Sequence, residues 1–128
     1  MTRVNVIPVS ELSDQWLIAE YRELPRCIKQ DIDTSDAPQR YKLGAGHMKW
    51  AKKHSRWLLN RAWDIFFEMI HRGFKTNYTP EGLFEKAMCG KTYHVTNDDI
   101  AVNRARLIER FNNKHKWTNR EKPKWLKI

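Results

Sequence analysis

The chain has 128 residues, with 24 Lys+Arg against 15 Asp+Glu, a formal net charge of +9 and a pI near 9.8. That length suits one domain with its own core, and the charge points to a polyanionic partner, nucleic acid before an anionic membrane surface. No apolar run approaches the ~20 residues that cross a bilayer, and no apolar leader follows Met1; Cys27 and Cys89 form neither a CxxC pair nor a disulfide framework, as expected of a reducing cytoplasm with both thiols buried or inert.

In chain order, "SELSDQWLIAEYRELPRCIKQDI" predicts a first helix. Ser10 or Ser13 can cap it, and Leu17, Tyr21, Leu24 and Ile28 recur at three- and four-residue spacing. Pro25, with no amide hydrogen to donate, is expected to kink or split it. "DTSDAPQRYKLGAGH" reads as a loop punctuated by Pro38, Gly44 and Gly46. One long helix is then expected through "MKWAKKHSRWLLNRAWDIFFEMIHRG". Its apolar stripe is Trp50, Trp57, Leu58, Ala62, Ile65, Phe66, Met69 and Ile70, and Gly73 stands at its C-terminus. "KTNYTPEGL" is a turn region, and residues 84–96 carry no clear period. A last helix starts at Asn97 or Asp98 and continues through "IAVNRARLIERFNNK". The tail "HKWTNREKPKWLKI" is basic, aromatic and irregular. No alternation of period two appears, so the chain reads as all-α: a single domain over residues 1–128 with about three main helices.

The tryptophans on the long helix, Trp50, Trp57 and Trp63, read as core. Trp117 and Trp125 sit among tail cations, either to stack on an unpaired base or to fold back and complete the core. Asn103, Arg106, Arg110 and Lys114 recur three and four residues apart on the last helix, a cationic face suited to phosphates. His47 and His54 are too far apart for a structural zinc site, and "GAGH" lacks the lysine and hydroxyl of a phosphate-binding loop. Neither a metal nor an organic cofactor is expected.

Two stretches remain. Methionine is normally trimmed before a small residue, so the mature chain is expected to begin at Thr2. An α-amine has a pKa of about 7.7–8.0 against about 10.4 for lysine, so roughly a tenth of it is a free nucleophile at neutral pH. Within "EYRELPR", Glu23 and Arg26 are three residues apart and Arg22 and Arg26 four, which sets a carboxylate among guanidinium groups on one helical face.

With "MTRVN", "VSELSDQ", "AEYRELPR", "LGAGH", "RGF" and "ARLIER" in that order, the chain resembles the pyrimidine-dimer DNA glycosylase, or endonuclease V, family of T-even bacteriophages and some bacteria. The resemblance implies a glycosylase and abasic-site lyase acting, as a monomer in the cytoplasm, on ultraviolet-damaged duplex DNA. It implies Thr2 as the amine nucleophile and Glu23 as the catalytic carboxylate. Arg3, Gln15, Arg22, Arg26, Arg106 and Arg110 become DNA contacts, with Trp16, Lys114, Trp117 and Trp125 as further ones. A kinked duplex with a flipped base is also implied. Trp16 stands where the phage enzymes have histidine, the segment between Ile28 and Tyr41 is shorter, and the aromatic tail is rearranged. The residues alone also fit the same mechanism on another damaged base, a non-catalytic basic DNA-binding module, or an RNA-binding protein.

Overall fold

The computed structural model describes residues 4–111, 115, 117 and 121–126. Among them the regular structure is helical throughout: α1 (Asp14–Lys29), α2 (His47–Lys53), α3 (Ser55–His71), α4 (Phe84–Ala87) and α5 (Asn97–Arg110), with short 3-10 turns at Val9–Glu11, Pro80–Leu83 and Lys124–Leu126. The all-α expectation holds. The principal packing pair is α1 with α3, and α2 lies against both. Leu17, Leu24 and Ile28 of α1 meet Leu58, Ile65 and Met69 of α3, with Trp50 fully buried beside them. Complete burial of one such aliphatic side chain contributes about 1.5–3 kcal/mol.

Ser13 is the α1 cap: its hydroxyl accepts the Trp16 amide at 3.1 Å. Pro25 lies inside α1 without splitting it. The carbonyl it leaves without a helical donor is that of Tyr21, four residues back, and the Tyr78 hydroxyl donates to it. The two rings stack at 4.3 Å, and the Tyr21 hydroxyl in turn donates to the Tyr78 carbonyl and accepts the amides of Asn77 and Tyr78. The loop after α3 therefore supplies what the proline removes.

The expected single long helix is two. The break is at His54 (φ −105°, ψ 38°), and its cause lies in residues 90–91. In a continuous helix the Trp57 amide would donate to the Lys53 carbonyl. Here Lys91 stands between them: its amide donates to Lys53 at 2.7 Å, and its carbonyl accepts Trp57 at 3.4 Å. The Ser55 hydroxyl also donates to the Ala87 carbonyl at 2.8 Å. The approach is so close that a Cβ on Gly90 would fall 2.0 Å from Ser55 Oγ and 2.9 Å from the Lys53 carbonyl oxygen. Only glycine fits there.

Gly73 (φ 82°) closes α3 as expected, with its own amide donating to Ile70 and that of Phe74 to Met69, the two bonds of a Schellman ending. Of the expected stripe, Ile70 is exposed, because α3 turns that side to solvent together with Phe67. Thr96 caps α5 in a capping box with Asp99, and the helix stops at Arg110 rather than running on to Lys114. Cys27 and Cys89 are both free thiols, the first buried and the second exposed. No helix among the described residues is long and apolar enough to cross a membrane.

Candidate active site

Residues Val4 to Ile7 run unpaired with any strand, yet all four are buried. A buried backbone must find hydrogen-bond partners, and here the partners are side chains from separate parts of the fold. His47 Nε2 accepts the Val4 amide at 3.1 Å, while its Nδ1 bonds the Lys42 carbonyl, which selects the neutral Nδ1–H tautomer. The Tyr41 hydroxyl donates to the Val4 carbonyl at 2.8 Å. Asn103 Oδ1 accepts the amides of both Val6 and Ile7, at 2.7 and 3.2 Å, and Arg61 Nη1 donates to the Ile7 carbonyl.

The one polar side chain of the segment, Asn5, is held at both ends. Its Nδ2 donates to Glu20 Oε1 at 2.8 Å, and its Oδ1 accepts Asn103 Nδ2 at 2.8 Å. Glu20 is itself clamped by Arg61 in a two-pronged ion pair of 2.8 and 3.1 Å, both side chains almost wholly out of water. Arg61 makes three hydrogen bonds and Glu20 accepts three, so neither charge is left unpaired, the condition under which a buried ion pair is tolerated. The segment is consequently fixed from α1, α2, α3, α5 and the loop before α2.

Sequence reasoning passed over this set, although a signal existed. Glu20 falls three residues after Leu17 and four before Leu24, inside the apolar stripe of α1. Arg61 falls likewise between Leu58 and Ile65 on α3. Opposite charges at core positions of two facing helices announce a buried pair. Asn103 was placed on the cationic face of α5, but it is fully buried and holds the terminal segment, so that face loses it.

The expected site residues distribute around this anchor. Thr2, Arg3 and Lys114 lie outside the described residues. Glu23 is one helical turn beyond Glu20, at the border between core and solvent, with its side chain 17% exposed and Arg26 Nη1 3.8 Å away. Gln15, Arg22 and Arg26 are exposed along one outward stripe of α1. The structure therefore brings Glu23 and the two arginines to a single open face. From α5, Arg106 pairs loosely with Glu109 at 3.6 Å, and Arg110 is exposed at the helix end. Burial, then the charge of Glu20, raise the pKa of the Tyr41 phenol, and Arg106 is near enough to oppose them. The cationic side of α5 thus adjoins the Val4 end of the segment.

Trp16 is half-buried among Phe111, His115 and Trp117, with ring centroids 6.4, 4.4 and 6.1 Å away, and His115 Nε2 hydrogen-bonds Ser13 Oγ at 2.7 Å. The aromatic replacement at position 16 thus seats the start of α1 against the tail. Trp125 is folded back on the core, its indole N–H donating to Glu11 at 2.7 Å and Arg104 lying over its ring. Among the described residues no group of His, Cys, Asp or Glu could hold a metal ion.

The arrangement offers a buried, hydrogen-bonded segment at Val4–Ile7, a partly buried carboxylate and a row of exposed guanidinium groups. A family model described as pyrimidine dimer DNA glycosylase matches residues 1–81, which takes in the buried segment, α1, α2 and α3.

Proposed function

The chain belongs to the pyrimidine dimer DNA glycosylase family, whose substrate is DNA, and from that premise we propose a bifunctional reaction carried by Thr2 and Glu23. The α-amine of Thr2 attacks C1′ of the damaged nucleotide of a cyclobutane pyrimidine dimer in duplex DNA. The glycosidic bond breaks, its electron pair leaves with the base, and the sugar ring opens to a covalent imine. Removal of a C2′ proton then expels the 3′ phosphate by β-elimination, and water releases the amine. The Glu23 carboxylate opposes the positive charge developing on the sugar and moves these protons.

The observation that carries this reading is the anchoring of Val4–Ile7. Two residues of extended chain reach about 7 Å, so Thr2 is tethered by a short span to a buried Val4, whose neighbour Asn5 bonds Glu20 one helical turn before Glu23. Such confinement converts a frayed amine into a positioned one. Arg22 and Arg26 are exposed on the outward face of α1 to hold the phosphates flanking the lesion, and Arg3 and Gln15 make further DNA contacts. Arg106, Arg110 and Lys114 grip backbone farther out. The enzyme acts as a monomer on a kinked duplex with a flipped base.

The test is borohydride trapping on duplexes that carry a single cyclobutane dimer or a single abasic site. Protein whose mass shows loss of Met1 should form a covalent adduct through Thr2 with either duplex. Glu23→Gln should slow strand cleavage about 10²–10⁴-fold. An adduct through a lysine, or full-speed cleavage by Glu23→Gln, would overturn the mechanism.

A further inference from the structure

A second cationic feature lies where α2, α3 and residues 89–91 meet. Lys52, Lys53 and Lys91, with Thr34, Ser55 and Cys89, line a notch of about 200 Å³ open to solvent, and no carboxylate is among its lining residues. The notch is preformed. The same backbone bonds that split α2 from α3 hold Lys91 across Lys53, and no side chain larger than that of glycine fits at position 90. Lys52 gives one ammonium proton to the Ile28 carbonyl at 2.6 Å, at the end of α1 that bears Arg26, and retains two others. The charges also act on their surroundings. The His54 pKa is lowered, chiefly by burial and further by the ammonium groups of Lys53 and Lys91.

We infer that this notch holds one backbone phosphate of duplex DNA, outside the lesion site and independent of sequence. The ligand chemistry is a phosphate oxyanion. The Lys52 ammonium is already held at Ile28 and the backbones of Lys53 and Lys91 are bonded to each other, so ordering these lysines on a phosphate loses less entropy than ordering lysines on unconnected surface. It lies past the C-terminal end of α1, the helix that also bears Arg22 and Arg26. The inference rests on DNA as the substrate but not on the imine chemistry.

Two measurements on the full chain with undamaged duplex test it, and since no bond is broken there, failure of the Thr2 mechanism leaves both intact. In the first, the slope of log Kd against log salt is compared between wild type and Lys53→Gln/Lys91→Gln. Loss of one phosphate contact should flatten it by about 0.9, and Lys91→Arg should keep the wild-type slope. In the second, iodoacetamide is directed at Cys89, the exposed thiol of the notch, while Cys27 is buried. Saturating duplex should slow its labelling severalfold. An unchanged slope with Cys89 labelled at full rate would overturn the inference. So would protection of Cys89 by inorganic phosphate at constant ionic strength but not by duplex, which marks a small-anion site instead.

Discussion

The Tyr78 hydroxyl donates to the carbonyl of Tyr21, the acceptor that Pro25 deprives of its helical partner. A residue 57 positions away thus repairs a helix that would otherwise bear an unsatisfied buried carbonyl. Tyr78→Phe should cost about 1–3 kcal/mol in urea unfolding, the penalty of an orphaned buried acceptor. On a Pro25→Ala background, where the amide returns, the same change should cost much less. Equal costs on the two backgrounds would contradict the repair.

Asn103 is the hub of the buried terminal segment. Asn103→Leu leaves the Val6 and Ile7 amides and the Asn5 carbonyl oxygen without partners, at about 2–5 kcal/mol from the ordinary cost of unsatisfied groups. Asn103→Asp keeps an acceptor for both amides and should recover part of the loss. At a temperature where both variants remain folded, imine trapping should fall further in the leucine variant. Trapping at the wild-type rate in Asn103→Leu would separate the anchor from the chemistry.

Breaking the Glu20–Arg61 pair from one side strands a buried charge. Either Glu20→Gln or Arg61→Met should destabilise by about 3–5 kcal/mol, whereas the double variant should lose less than the sum of the two. A chemical-denaturation cycle measures the difference, and strict additivity would mean that the two side chains do not act together.

Gly90→Ala forces a methyl group onto Ser55 and Lys53. Overpacking of this kind costs about 1–3 kcal/mol, and the bonds at stake are those that divide α2 from α3. The melting temperature should fall and the Lys91 and Trp57 amides should exchange faster. At Gly82, where an added Cβ meets nothing within 4 Å, the same substitution should stay within about 0.5 kcal/mol of wild type.

Burial lowers the pKa of both His54 and His115 below the ordinary histidine value of 6.5. As pH falls through that value the unfolded chain takes up protons that the folded protein refuses, so stability is held above it and lost below. The urea midpoint should decline from roughly pH 7 to pH 5, the range in which histidine titrates. His54→Gln should show a shallower decline than wild type, and an identical slope would exclude His54 as a contributor.

What the sequence disclosed was local. The Ser13 cap, the Thr96–Asn97 start of α5 and the glycine ending of α3 each depend on neighbours within a few residues, and all three are present. The features it concealed depend on distant partners. The break at His54 is made by Lys91, and the intact helix through Pro25 is made by Tyr78. Asn103 looks like a surface residue by its spacing from Arg106, because helical periodicity says which residues share a side and not which side is inward. At the site, the acidic and basic residues of α1 could be read directly. The scaffold that fixes Val4–Ile7 is polar and buried, and composition expects neither.

The bond between Asn103 and Val6 joins residues 97 positions apart. During synthesis Val6 emerges from the ribosome long before Asn103. Until α5 has been made, the amides of Val6 and Ile7 lack their acceptor, and the segment that carries the proposed nucleophile cannot settle. Nascent chains would then present Glu23 and the arginines without a positioned amine. DNA binding would precede cutting not only in each turnover but also in the life of every molecule.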